Sequence, residues 1–261
     1  MNLNTIYNEN CLDTMKRMPD GFIDLTVTSP PYDNLRDYKG YVFPFEDIAR
    51  ELFRVTKKGG VVVWVVGDAT IDGSETGTSF RQALYFMECG FNLHDTMIYA
   101  TNKPPQNSDR YEPEFEYMFI FSNEKPNIFS PMRIKRKWED KRNEKAYHRD
   151  KAGEMIAKKK ININERVVGN IWYYDTGGGH TTNDKIAFDH PAIFPEKLSR
   201  DHIYSWSKEG DIVYDPFIGS GTTAKMAHLL KRKWIGSEIS QEYVELANKR
   251  IQPYIDQKTL F

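Results

Sequence analysis

The apolar positions of the first hundred residues change their period from one segment to the next. Residues 23–29 (IDLTVTS) have the pattern of a strand, and residues 45–56 (FEDIARELFRVT) have the spacing of an amphipathic helix. A Gly-Gly pair then precedes VVVWVV, the continuous apolar run of a strand that is covered on both faces. A second predicted helix at 79–91 is followed by predicted strands at 93–101 and 112–123. This alternation predicts an α/β fold with a mostly parallel sheet and helices on its faces.

The regular pattern stops between residues 123 and 189. This segment is dominated by charged residues, and it contains the glycine run GGGH, which favours a flexible linker because no helix pattern follows it. A compact sheet does not need so long an interruption, so we assign residues 123–189 to an inserted module. Strand and helix patterns then resume and end with the helix QEYVELANKRI. Residues 1–122 and 190–261 are therefore predicted to be two halves of one domain.

Composition and charge narrow the classes of protein that fit. The 261 residues are 39% hydrophobic and 28% charged, as in soluble globular proteins, and the apolar run 61–66 is too short to span a bilayer. The N-terminus has no secretion signal, so we expect a cytoplasmic protein without a membrane partner. The two cysteines, Cys11 and Cys89, are too few for a disulfide framework and form no metal-ligand pattern with the six histidines. We expect reduced thiols and no metal site.

The small net charge of −1 conceals a local asymmetry. Residues 133–160 contain 12 Lys or Arg against 5 Asp or Glu, a net charge of +7, which leaves −8 for the remainder of the chain. Such a cluster predicts a surface for a polyanion, and a solvated basic loop is the alternative.

A glycine turn lies between a predicted strand and a predicted helix in the last fifty residues. The segment DPFIGSGTTA fits the pattern G-x-G-x-x-A through Gly219, Gly221 and Ala224, which allows a tight turn and a close approach of the backbone to a ligand. Glu238 ends the next predicted strand, where a carboxylate can accept both hydroxyls of an adenosine ribose. The pattern predicts an adenosine site, and NAD stays possible at this point. Because this unit comes last, the chain is circularly permuted relative to a sheet that begins with its cofactor turn.

The strand at 23–29 ends in the corner Ser29, Pro30, Pro31 and Tyr32. Ligands of open α/β sheets bind at the carboxyl ends of strands, and the two prolines stiffen this exit into extended geometry. The Ser29 side chain and the Pro30 carbonyl can then accept hydrogen bonds beside the flat face of Tyr32. Such a corner suits the planar amine of cytosine or adenine, with stacking that contributes ~1 to 3 kcal/mol per base. A base in a duplex has to leave its stack to reach it.

TSPPY together with DPFIGSGTT resembles the β-class DNA amino-methyltransferases. The resemblance implies a Rossmann-like class I methyltransferase sheet, circularly permuted, with an inserted target-recognition region. It also implies the cofactor S-adenosyl-L-methionine. The segments HPAIFPEKL and NENCLDTMKRMPDGF are similar to further family segments. With the glycines and Glu238 they imply these cofactor contacts: Cys11, Asp13, His190, Pro191, Ala192, Phe194, Asp215, Phe217, Gly219, Gly221, Thr222 and Glu238.

The basic insertion gains a role from this resemblance, which implies double-stranded DNA as the partner. The candidate DNA contacts are Arg133, Lys135, Arg136, Lys137, Trp138, Lys141 and Arg142. The family also implies a cognate restriction endonuclease as a potential partner, and the sequence is compatible with a monomer or a homodimer.

Four hypotheses about the function stay open. Serine as the first residue of the catalytic corner favours cytosine N4 over adenine N6, since the adenine enzymes of the family more often have Asp or Asn there. A transferase acting on RNA or on a protein glutamine would use a similar planar amine, but usually has its cofactor glycines before the PPY corner. An NAD-dependent oxidoreductase would give SPPY no role. In a catalytically silent DNA-binding module, substitution of Ser29 would change nothing.

Overall fold

The computed structural model describes seven stretches of the chain: residues 1–31, 43–102, 110–135, 147–157, 164–177, 179–193 and 195–257. The chain divides into two compact units. The first unit combines Met1–Ser130 with Asn170–Phe261, and the second is Pro131–Gly169.

Fourteen strands and six α-helices are present in the described residues. The strands, numbered along the chain, are β1 (Thr5–Tyr7), β2 (Ile23–Thr28), β3 (Thr56–Val66), β4 (Thr70–Ile71), β5 (Ser74–Glu75), β6 (Asn92–Ala100), β7 (Phe115–Ser122), β8 (Arg133–Lys135), β9 (Tyr147–Arg149), β10 (Met155–Ala157), β11 (Glu165–Val167), β12 (Ile171–Tyr173), β13 (Ile212–Asp215) and β14 (Lys233–Ser237). The helices are α1 (Cys11–Lys16), α2 (Phe45–Val55), α3 (Thr78–Glu88), α4 (Glu196–Trp206), α5 (Thr222–Leu229) and α6 (Gln241–Asp256), with a 3-10 helix at Lys185–Asp189.

The first unit is built on a central sheet that has eight strands over the described residues, in the order β1-β14-β13-β2-β3-β7-β6-β12. Its pairs are parallel except for β3 with β7 and β6 with β7. β7 runs in the opposite direction because it follows β6 and pairs with it directly, as antiparallel neighbours do, while parallel strands need a crossover. The predicted α/β fold with a mostly parallel sheet is confirmed.

The apolar run of β3 explains how the sheet is covered. Val62, Trp64 and Val66 belong to one buried cluster with residues of α1, α2 and α3. The alternate residues Val61 and Val63 point to the other face and are also buried, and α4 packs against β2 and β3. Both faces of the strand are therefore shielded from solvent, as its uninterrupted run of apolar residues predicts.

The centre of the sheet joins strands that are far apart in sequence. β13 lies beside β2, with Val213 opposite Leu25 and Tyr214 opposite Thr26. The strand that precedes the glycine turn is thus a neighbour of the strand that precedes the proline corner. This is the arrangement that the predicted circular permutation requires.

The second unit is smaller than the predicted insertion 123–189. Within it, β8 pairs with β11 and β9 pairs with β10, both antiparallel. Residues 123–130 and 170–189 belong to the first unit because they are bonded to it: Ser130 N donates to Ser205 O at 2.8 Å, and β12 pairs with β6. The strands β8 to β11 are only three residues long and lie among polar residues, so the alternation of apolar and polar positions is too short to predict them from the sequence. That this second unit recognises a DNA target stays a prediction.

Two elements at the start of the chain were not predicted. β1 pairs with β14 at the edge of the sheet, and α1 begins at Cys11 behind Asn10, whose side chain accepts a hydrogen bond from Leu12 N. Among the described helices, none combines the length and the apolar character that crossing a membrane would require.

Candidate active site

A cavity of about 820 Å³ lies in the first unit where the parallel strands of the sheet end. The residues that follow β1, β2, β3, β13 and β14 line it, and the antiparallel strand β7 contributes its first residues instead. This is the position at which open α/β sheets bind ligands. Of the residues predicted for catalysis and cofactor binding, eleven line it: Cys11, Ser29, Pro30, Pro31, His190, Pro191, Ala192, Phe217, Gly219, Thr222 and Glu238.

The proline corner and the glycine turn are joined beneath the cavity by a buried hydrogen bond. Thr28, the last residue of β2, donates through Oγ1 to Oδ1 of Asp215, the last residue of β13, at 2.6 Å. The same carboxylate oxygen accepts from Phe217 N at 3.0 Å. Asp215 is only 1% exposed, and this burial raises its pKa to about 6. Asp215 does not line the cavity, so it connects the two chain segments from below.

Gly219 brings three parts of the site into contact. Its φ of +47° is in the left-handed region, and a Cβ on it would lie 2.8 Å from Nε2 of His190. Its N–H donates to Oε2 of Glu238 at 3.1 Å, while Oε1 of Glu238 accepts from Ser240 N at 2.9 Å. Burial raises the pKa of the Glu238 carboxyl. A side chain at position 219 would fill the space in which the histidine and the turn meet.

His190 is held on several sides. Its Nδ1 lies 2.8 Å from Ala192 O and 3.1 Å from Ala192 N, and its ring meets the ring of Tyr243 edge-on at 4.3 Å. The segment HPA is therefore fixed against the glycine turn and α6, and its three residues face the cavity.

The charge of the lining is one-sided. Five carboxylates contribute to it, and no lysine or arginine of the described residues does; the carboxylates are Glu9, Asp68, Glu75, Glu116 and Glu238. Glu9 and Glu75 are paired with Arg17 and Arg110, which lie outside the lining, so the other three carboxylates carry most of the preference for a positively charged ligand. Any anionic group of that ligand has to be met by neutral donors.

Comparison with known proteins identifies the family. The family model N6_N4_Mtase, described as DNA methylase, matches residues 23–249. The chain belongs to the DNA methylase family. The orphan methyltransferase M.BamHII of Bacillus amyloliquefaciens is similar, with 59% identity over 243 residues that cover 90% of this chain and 91% of that protein. The type II methyltransferase M.BglII of Bacillus subtilis is 29% identical over 269 residues, 99% of this chain and 72% of that protein.

Solved structures share the fold of this DNA methylase. The PvuII DNA methyltransferase (cytosine-N4-specific) superimposes with a TM-score of 0.70 and 20% identity, covering 98% of this chain and 87% of that chain. A DNA modification methylase from Thermus thermophilus complexed with S-adenosyl-L-methionine gives 0.66 and 22%, covering 97% and 95%.

The predicted family and cofactor are confirmed: this DNA methylase is an amino-methyltransferase that uses S-adenosyl-L-methionine. The residues of the cavity fit that group, because a turn without a side chain at Gly219 lies beside a buried carboxylate at Glu238. The acidic lining also suits the positive sulfonium and ammonium groups of the cofactor. The family assignment argues against the NAD-dependent oxidoreductase.

Three of the predicted cofactor contacts do not line the cavity: Asp13, Gly221 and Asp215, which lies beneath it. Asp13 does not line the cavity: it is two positions beyond Cys11 on α1, and residues at that spacing face different sides of a helix. Its side chain is 57% exposed and lies 3.1 Å from Lys16 Nζ. Gly221 has a φ of +80°, and a Cβ there would lie 3.0 Å from Ala247 Cβ of α6. This glycine therefore allows α6 to pack closely on the turn, and it is not part of the cavity lining.

Several predicted residues stay untested. Tyr32 and Phe194 lie outside the described residues, as do five of the candidate DNA contacts: Arg136, Lys137, Trp138, Lys141 and Arg142. Arg133 and Lys135 are on β8 of the second unit, and both are exposed.

One wall of the cavity was missed in the sequence of this DNA methylase. Asp68 follows β3 just as Ser29 follows β2, so the rule that ligands bind at strand ends would have found it. Its Oδ1 accepts from Ser79 N at 2.9 Å at the start of α3. Tyr99 and Phe115 extend the same wall from the ends of β6 and β7.

Proposed function

We propose that this DNA methylase transfers the methyl group of S-adenosyl-L-methionine to N4 of cytosine within a specific sequence of double-stranded DNA. The observation that carries the proposal is the shared cavity: Ser29, Pro30 and Pro31 line it together with Gly219 and Glu238. The Thr28–Asp215 hydrogen bond holds the two segments at a fixed distance beneath it. A methyl donor on one segment and an amine on the other would therefore be neighbours.

The cofactor, when bound, supplies a methyl group on a good leaving group, so no covalent enzyme intermediate is needed. Glu238 is assigned to the ribose hydroxyls, and Phe217 and the His190–Ala192 segment to packing around the cofactor. Thr222, the first residue of α5, is assigned to its carboxylate, because a helix N-terminus favours an anion.

The corner is assigned to the base. The amino nitrogen of cytosine is a weak nucleophile because its lone pair is delocalised into the ring. The Ser29 hydroxyl oxygen and the Pro30 carbonyl would accept hydrogen bonds from the two N–H groups, which directs the remaining pair towards the methyl group. The N–CH3 bond would form as the S–CH3 bond breaks, with S-adenosylhomocysteine as the leaving group and one of the two N–H protons released to water. The rate then comes from positioning and polarisation. Stacking of the base on Tyr32 is part of the proposal, although this residue lies outside the described ones.

Serine at position 29 is the reason for preferring cytosine N4. The structural neighbour PvuII methyltransferase is named cytosine-N4-specific, which is consistent with this preference. Adenine N6 is the alternative target, since the family model covers both kinds of amine.

The second unit is assigned to contacts with DNA through Arg133, Lys135 and the basic residues that follow them. If these side chains contact phosphates, the logarithm of the affinity for DNA falls linearly with the logarithm of the salt concentration. A cognate endonuclease, a monomeric or homodimeric state and a cytoplasmic location stay predictions. The relatives are named as an orphan methyltransferase and as type II methyltransferases.

The experiment that tests the proposal identifies the product. The protein is incubated with S-adenosyl-L-methionine that carries a deuterated methyl group and with unmethylated DNA, and the DNA is digested to nucleosides for mass spectrometry. We expect deuterated N4-methylcytosine from the wild type, a much lower yield from Ser29→Ala, and an unchanged yield from the exposed control Lys249→Ala. N6-methyladenine would overturn the cytosine preference, and the absence of any methylated base would overturn the proposed activity.

A further inference from the structure

A buried charge cluster lies behind the glycine turn and outside the cavity lining. It consists of Arg250 of α6 and Lys225 of α5, with side chains that are 1% and 4% exposed, and of the carboxylates of Asp184 and Glu196. Lys225 Nζ lies 2.7 Å from a carboxylate oxygen of each acid. Arg250 lies 2.9 Å from Asp184 and 2.6 Å from Glu196. None of the steps assigned above uses these four residues.

The two cations of the cluster differ in one respect. Lys225 donates to the two carboxylates and lies over the ring of Tyr254, whereas the guanidinium of Arg250 also reaches the turn. Its Nη1 donates to Ser220 O at 2.9 Å, to Ser220 Oγ at 3.0 Å and to Thr222 Oγ1 at 3.0 Å. Arg250 thus ties the start of α5 to the acidic residues of the cluster.

These contacts determine what the two hydroxyls can do. A guanidinium can only donate hydrogen bonds, so Ser220 Oγ and Thr222 Oγ1 accept from it, and their own protons have to point elsewhere. The two oxygens lie 3.5 Å apart, so one hydroxyl can donate to the other, which leaves at least one proton for a third group. Both residues line the cavity. The lining contains no lysine or arginine of the described residues, so an anionic group there depends on neutral donors and on the N-terminus of α5.

We propose that Arg250 is a positioning residue for the carboxylate of the cofactor: by donating to Ser220 and Thr222 from behind, it directs at least one of their two hydroxyl protons towards the cavity. The bound group is a carboxylate at the N-terminus of α5. This inference rests on the proposed function, because it takes the cavity as the cofactor site.

The test compares two ligands that differ in the carboxylate. S-adenosylhomocysteine has the amino-acid part, and 5′-deoxy-5′-methylthioadenosine lacks it. Calorimetry with both ligands is carried out on the wild type, Arg250→Met and Arg250→Lys. We expect Arg250→Met to weaken S-adenosylhomocysteine roughly tenfold or more, because hydrogen bonds to charged groups are among the strong ones, and to leave methylthioadenosine within about twofold. Arg250→Lys keeps the positive charge but loses the planar guanidinium with its several N–H donors, so it should also lose affinity for S-adenosylhomocysteine only.

Lys225→Met is the matched control, because it removes the other cation of the same cluster without touching the turn. We expect it to change both affinities by one common factor. The inference is overturned if Arg250→Met weakens both ligands equally, or if Lys225→Met produces the same selective loss. If neither Arg250 variant folds, Thr222→Val takes their place. We expect it too to weaken the binding of S-adenosylhomocysteine and to leave that of methylthioadenosine unchanged. Unchanged binding of S-adenosylhomocysteine would refute the inference. A wild type that binds neither ligand would refute the proposed function instead.

Discussion

His202 should make the stability of this protein depend on pH. It lies on α4 in the interior, with Nε2 3.2 Å from Met118 Sδ and its ring 4.7 Å from the ring of Trp172. Its Nδ1 has no hydrogen-bond partner among the described residues. Burial lowers the pKa of His202 to about 3. The folded protein therefore keeps this imidazole neutral under conditions in which the unfolded chain protonates it.

The sign and size of the effect follow from this difference. Below the unfolded pKa of about 6.5 the unfolded chain binds one more proton than the folded one, so the free energy of unfolding falls as the pH falls. From about pH 8 to about pH 5 the loss due to His202 is ~2 kcal/mol, for a folded pKa of about 3. His202→Leu removes the titration while keeping a side chain of similar size.

Urea unfolding at a series of pH values measures this loss. We expect the wild type to lose ~2 kcal/mol more than His202→Leu between about pH 8 and about pH 5. The control His180→Gln changes an exposed histidine and should follow the wild type. Equal losses in the wild type and in His202→Leu would refute the reasoning, because all other titrating groups are common to both proteins.

Three further substitutions test the site. Gly221→Ala should lower the free energy of unfolding, measured in urea, by ~2 kcal/mol, because φ is +80° and the new Cβ would lie 3.0 Å from atoms of α6. A variant as stable as the wild type would contradict this packing argument. Burial raises the pKa of Asp215 to about 6, so the stability it contributes is complete below about pH 4 and is lost as the pH rises through about 6. When the urea titration is extended down to about pH 3, Asp215→Asn should lack this loss of ~3 kcal/mol, about half of which falls above about pH 5. Parallel stability curves for the wild type and Asp215→Asn would contradict the raised pKa of the buried carboxyl. Glu238→Gln should weaken the binding of S-adenosylhomocysteine about tenfold in calorimetry. Gly219 N–H and Ser240 N–H each donate to one oxygen of the carboxylate, and only one end of an amide can accept. An unchanged affinity would argue against the assigned role of Glu238.

The sequence was informative where one residue type decides the geometry. The continuous apolar run of β3 predicted a strand covered on both faces, and the glycine turn and the proline corner were located because Gly and Pro restrict the backbone so strongly. Both segments line one cavity, as the strand-end rule requires.

Other features depend on packing that no local pattern encodes. Gly221 and Gly219 look alike in sequence, yet one makes room for α6 and the other for His190. Asp13 was placed by resemblance, but the phase of α1 turns it to solvent. β12 has three residues and is held by its pairing with β6, which involves residues more than seventy positions away.

The pairing of β2 with β13 has a consequence for how the protein can be made. The sheet is assembled from two segments, Met1–Ser130 and Asn170–Phe261, whose strands interleave, and neither segment holds both walls of the cavity. If the chain is divided within Pro131–Gly169, we expect neither polypeptide alone to bind the cofactor and the mixture to bind it again. The two halves are held together by hydrogen bonds between neighbouring strands of the sheet, and the connecting peptide is not needed for these. We expect calorimetry to show binding of S-adenosylhomocysteine by the mixture and by neither half alone, and no binding by the mixture would contradict this consequence of the interleaved sheet.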